Sequence, residues 1–102
     1  MRQVEIATRF GENLARRRHE ARLSQEELGF RASLHRTEIG MLERGIRLPR
    51  IDTLIKLAGG LEIPPGDLLE GLDWMPGGPR VGEFRIRERC GGEPVKAPLR
   101  RG

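Results

Sequence analysis

Apolar residues at helical spacing recur in short runs through the first 72 positions of this chain, and each run is bounded by its own capping or breaking residues. That pattern demands several short packed helices rather than one long helix or a sheet. Helical periodicity begins at Ile6 and continues through Phe10, Leu14 and Ala21, with Arg16, Arg17, Arg18 and Glu20 interspersed, and predicts a first helix over 8–21. Ser24 is followed three residues later by Glu27, a capping-box pattern that opens a second helix running to Ala32. Leu34, Ile39 and Leu42 mark a third helix over 36–44, closed by Gly45. Ile51, Leu54, Ile55 and Ala58 fall at i, i+3, i+4 and i+7 in a fourth helix that Gly59 and Gly60 should stop. Pro65 would sit in the first turn of a fifth over 65–70, where a missing amide hydrogen costs nothing.

The expected fold is therefore an all-α, five-helix domain over residues 1–72, followed by an extension over 73–102. Aromatic residues make up only 4% of the chain, with no Tyr and one Trp, so the core must come from Leu, Ile, Ala and a few Phe, which suits helices. In the extension, Trp74-Met75-Pro76-Gly77-Gly78-Pro79 reads as a turn-rich segment. Phe84 and Ile86 alternate with Glu83, Arg85 and Arg87, the period of one short half-buried strand at 82–87. The Gly/Pro/basic stretch 91–102 reads as a mobile tail.

Several function classes are poorly supported. Cys90 is the single cysteine, so an internal disulfide framework and multi-cysteine zinc sites are excluded, and it reads as a bystander thiol. His19 and His35 are each isolated from other ligand-type residues, and neither reads as a metal ligand or catalytic base. The chain has no nucleophile elbow and no phosphate-cradling Gly loop with Lys, so neither enzymatic activity nor a cofactor is expected. Stacking platforms for single strands or RNA need exposed aromatics that are scarce here. No apolar run approaches a membrane span and no signal-peptide stretch is evident, so the expected location is cytoplasmic.

The net charge is +4 and the pI about 10.5, which favours an acidic partner such as nucleic acid. The charge is not spread evenly, since residues 1–72 carry 12 basic and 11 acidic side chains while 73–102 carry 7 and 4. Placement must then do what bulk charge does not. Two short helices joined by a tight turn form the unit that sets a helix into a DNA major groove. Leu28, Ala32, Leu34, Ile39 and Leu42 can close the small core of such a unit, with Gly29 where the helices cross beneath Ile39.

Leu-Ser-Gln-Glu-Glu-Leu (23–28), Leu-His-Arg-Thr-Glu-Ile-Gly (34–40), Leu-Glu-Arg-Gly (42–45) and Ile-Asp-Thr-Leu-Ile-Lys-Leu-Ala (51–58) stand in order. Over residues 8–72 they make the chain resemble the lambda-repressor/Cro-like (XRE) helix-turn-helix family. The resemblance implies a five-helix lambda-repressor-like domain, a homodimer on palindromic double-stranded DNA, and base reading by the start of the third helix. It puts Gln25 at a phosphate or behind a base contact, and Arg36, Thr37 and Met41 in the groove. Arg36 could donate two bonds to guanine, worth roughly 1–3 kcal/mol of discrimination, or stand beside a phosphate. Glu38 could accept from a cytosine amine, or reach back to the amide of His35, the expected N-cap, and complete a capping box. Arg47 and Arg50 could hold phosphates or enter a minor groove, or be plain surface residues. Arg18 and Glu43 match positions that form a partly buried ion pair between the first and third helices.

The chain departs from the family at three places. Arg50 replaces the usual Ser or Thr N-cap, Gly29 the usual Ala, and Ser33 the Gly of the turn, at costs of roughly 1 kcal/mol each. His-Arg-Thr-x-Ile-Gly and Glu-Arg-Gly resemble the restriction-modification controller subgroup, one alternative reading. Another is an antitoxin whose extension wraps a protein partner. Leu68, Leu69, Leu72 and Trp74 supply apolar surface beyond the needs of a small monomer. The resemblance implies that the fifth helix lies at the dimer interface, and Phe84 and Ile86 could add a strand that pairs with a dimer mate, or residues 80–90 could fold back onto their own subunit.

Overall fold

The computed structural model describes residues 3–78 and 81–87; Cys90 and the tail 91–102 lie outside them. Helix α1 spans Gln3–Glu20, α2 Gln25–Ala32, α3 Arg36–Glu43 and α4 Ile51–Leu61; a 3-10 helix over Pro65–Leu69 and two strands, β1 Leu72–Gly78 and β2 Val81–Ile86, follow. The core gathers Phe10 and Leu14 from α1, Leu28 and Ala32 from α2, Ile39 and Leu42 from α3, Leu54, Leu57, Ala58 and Leu61 from α4, and Leu68 from the 3-10 helix. Leu23, Leu34 and Ile63 pack against its margin. One apolar stripe from every helix meets at the centre, so no helix is stable without the others. None of the described helices is long and apolar enough to cross a membrane.

The architecture corrects the sequence reading in five respects. There are four α-helices rather than five, because Pro64, Pro65 and Gly66 permit only a five-residue 3-10 helix at the fifth position. Helix α1 begins five residues earlier than expected, and Ala21 lies beyond its end and is exposed. Gly59 and Gly60 do not stop α4. Gly60 packs where an added Cβ would meet Leu28 at 3.1 Å, and the helix ends at Glu62, whose φ of 61° takes the left-handed cap position.

The buried side of α4 is also shifted, and Ile51 and Ile55 are 74% and 57% exposed while Thr53 and Leu57 point inward. Finally, the extension forms two strands, not one. The segment read as turns is β1, because Leu72 and Trp74 find Ile86 and Phe84 opposite them in an antiparallel register. Proline and glycine had masked an alternation that the partner strand makes visible.

Asn13 fixes where the helical body hands over to the hairpin. It is 1% exposed, and its side-chain amide donates to the carbonyls of Leu68 and Glu70, both at 3.0 Å. Arg17 to Asp67 at 3.1 Å and Arg16 to Glu70 at 2.7 Å bind the same junction from the surface.

Candidate DNA-reading face

The unit begins at Ser24, whose hydroxyl accepts from the Glu27 amide at 2.9 Å while the Glu27 carboxylate accepts from the Ser24 amide at 2.7 Å. Both halves of the expected capping box are made, which satisfies two amides that α2 could not pair internally. The turn out of α2 runs through Ser33 in the left-handed region, φ 58°, and the Leu34 amide donates to the Gly29 carbonyl at 2.8 Å. Gly29 is needed here, since a Cβ would lie 2.5 Å from the Leu34 carbonyl oxygen.

His35 is the N-cap of α3, as expected, and its ring Nδ1 accepts from the Thr37 amide at 3.0 Å. The reciprocal bond from Glu38 is not made. Its carboxylate turns instead to Arg47, 3.5 Å away on the loop beyond α3. Gly45, with φ 74°, follows the end of α3.

Ile39, Gly40 and Leu42 hold the inner side of α3 against the core. Beneath it lies the ion pair between α1 and α3. Arg18 Nε donates to Glu43 Oε2 at 2.6 Å and Nη2 to Oε1 at 3.0 Å, a two-pronged contact with both side chains about 90% buried. Arg18 Nη1 also donates to the Leu23 carbonyl at 2.9 Å, and Gln25 Nε2 donates to Glu43 Oε1 at 3.0 Å. The bond to Glu43 raises the Arg18 pKa above its already high ordinary range against the opposing effect of burial, so the guanidinium stays charged at any working pH. Gln25 therefore links the buried pair to the start of α2, beside Gly40.

The outer side of α3 presents Arg36 and Thr37, both exposed, and half-buried Met41. Arg36 stands 3.9 Å from Glu26, and Arg50 stands 3.4 Å from Asp52. Arg50 caps nothing with its side chain. The Asp52 carboxylate accepts from the Thr53 amide at 2.9 Å, which compensates for the missing Ser or Thr cap of α4. The structure thus brings Gln25, Arg36, Thr37, Glu38 and Met41 onto two adjoining helices, with Arg47 and Arg50 on the loop that leaves them.

Sequence reasoning passed over Arg44. It shares the outer side of α3 with Thr37 and Met41 by spacing, is exposed, and places its guanidinium 3.3 Å from where a Gly40 Cβ would be. Its i+7 and i+3 spacing from Thr37 and Met41 was the available signal.

A helix-turn-helix family profile matches residues 14–68. Control protein C.BamHI of Bacillus amyloliquefaciens is 39% identical over 62 residues, 60% of this chain and 76% of that protein. An HTH-type transcriptional regulator of Sinorhizobium fredii, y4dJ, is 39% identical over 70 residues, 69% of this chain and 91% of that one. Among solved structures, the restriction-modification controller protein C.AhdI from Aeromonas hydrophila superposes with a TM-score of 0.60 at 39% identity, covering 61% of this chain and 94% of that one. The matched residues are those whose caps, turn and ion pair are described above, and the chain belongs to the helix-turn-helix family of transcriptional regulators, in its lambda-repressor/Cro-like (XRE) branch.

Proposed function

We propose that this protein is a cytoplasmic, dimeric regulator that reads a palindromic double-stranded DNA operator with the outer side of α3. The observation that carries this reading is the division of α3 into two sides. Its inner side is locked by core packing and by the Arg18–Glu43–Gln25 tie, while Arg36, Thr37 and Met41 on its outer side stand on a rigid mount. Arg36 reads a base. Arg44, Arg47 and Arg50 meet phosphates, and Glu38 orients Arg47. The ion pairs that now hold Arg36, Arg47 and Arg50 are exposed, worth roughly 0–1 kcal/mol each, and yield readily to DNA.

The similarity to C.BamHI and C.AhdI favours a more specific role, control of the genes of a restriction-modification system. A methyltransferase gene and a nuclease gene beside this one would support that role, and a neighbouring toxin gene would favour an antitoxin. Binding selection from random duplex DNA followed by footprinting tests the main reading. Two half-sites about 10 base pairs apart are expected. A single unpaired site, or no enriched motif, overturns it.

A further inference from the structure

The hairpin has one apolar side, where Leu72 faces Ile86 and Trp74 faces Phe84. The two aromatic rings meet edge to face, 5.1 Å apart, and Trp74 is still 53% exposed. The family match ends at residue 68, before this hairpin begins. A two-stranded hairpin is marginal by itself and is stabilised by packing against a helix, as here through the bond from Arg9 of α1 to the Arg87 carbonyl, or by further strands.

Its two edges differ. β1 contains Pro76, which has no amide to offer, and its register is irregular between Pro76 and Gly78, so that edge is blocked. β2, Val81–Ile86, contains no proline. The Arg87 amide donates to the Gly71 carbonyl at 2.7 Å, which fixes the alternation of the ladder. Glu83 and Arg85 direct their backbone groups toward β1, and Gly82, Phe84 and Ile86 direct theirs outward.

We propose that β2 pairs antiparallel with β2 of a second copy of this chain, about a two-fold axis at Phe84, giving a four-stranded sheet across the dimer. This rests on the dimeric reading above and adds a strand pairing to whatever contact the helical bodies make. On that axis Phe84 exchanges backbone bonds with its own mate, and Gly82 does so with Ile86 of the second copy. Glu83 comes opposite Arg85 of the second copy, and the symmetry repeats that pair. Among the described residues neither Glu83 nor Arg85 is in an ion pair, so both charges are available. β1 carries one charged residue, Asp73, and has no such self-complementary pattern.

Charge reversal in the full chain, read by sedimentation equilibrium, tests the register. R85E sets Glu against Glu twice, and E83R sets Arg against Arg twice. Each should weaken self-association roughly tenfold or more, with helix content unchanged by circular dichroism. The double variant E83R/R85E restores opposite charges and should recover dimerisation, which no merely structural role of either residue would produce. Single variants as dimeric as the original chain, on an operator still footprinted as paired half-sites, would overturn the strand pairing and leave the dimer reading intact. Failure of the double variant to recover would overturn the register. An original chain that stays monomeric and protects one half-site would overturn both readings.

Discussion

At the scale of single residues, reading and anchoring should separate by mutation. Arg36 leads α3 and, among the described residues, its ion-pair contact is a 3.9 Å exposed one to Glu26, so the proposed turn toward a guanine would cost little stabilisation. Arg36→Ala should relax preference at one base position, with a loss of about 1–3 kcal/mol on the cognate site. Arg50→Ala should weaken all sequences alike and reduce the slope of log affinity against log salt by about one. Anisotropy titrations at several salt concentrations, on cognate and scrambled duplexes, distinguish the two. Identical uniform losses would remove Arg36 from base reading. Which residues stand on this side was legible, because helical spacing decides it. Their present partners were not, since Glu26 and Arg47 approach Arg36 and Glu38 from other segments and only the folded chain brings them together.

At the scale of elements, the α2 turn makes two opposite demands on neighbouring small residues. By propensity alone, Gly29→Ala would gain about 1 kcal/mol. The Leu34 carbonyl stands 2.5 Å from the new Cβ, however, and backbone must move, so a net loss of about 1–2 kcal/mol is expected. Ser33→Gly should instead stabilise by roughly 0.5–1 kcal/mol, because φ is 58° there and Ser gains nothing from that strain. Urea denaturation of both variants checks the signs. Arg18→Met would leave the Glu43 carboxylate buried with Gln25 as its remaining donor, a loss of about 3–5 kcal/mol. The helices α1 to α4 and the capping box were readable because each rests on a local signal. Asn13 was not, because a polar residue within an apolar stripe looks solvent-facing until Leu68 and Glu70 supply carbonyls from 55 residues or more away. β1 was hidden likewise, since a strand interrupted by Pro and Gly is defined by its partner rather than by its own sequence.

At the scale of the whole molecule, the helical core is complete before the hairpin starts. Every residue of the central cluster lies at or before Leu68, and Asn13 closes the junction on backbone carbonyls up to Glu70. Nearly the whole of C.AhdI, 94%, is covered by 61% of this chain, so a body of about this extent is sufficient for the fold. A chain ending at Gly71 should therefore keep its four α-helices and unfold cooperatively. It loses the bond from Arg9 to the Arg87 carbonyl, an exposed contact of modest worth. Circular dichroism should show the same helix content per helical residue and a small drop in melting temperature. Affinity for the full operator should fall more steeply with dilution, because two half-sites must then be filled by bodies no longer joined through β2. An isolated half-site should bind the truncated and full chains equally, since α3, Arg44, Arg47 and Arg50 are untouched. If the truncated chain instead lost helix as well as operator affinity, the hairpin would be part of the fold rather than an addition to it. The division of labour between a reading body and a joining hairpin would then be wrong.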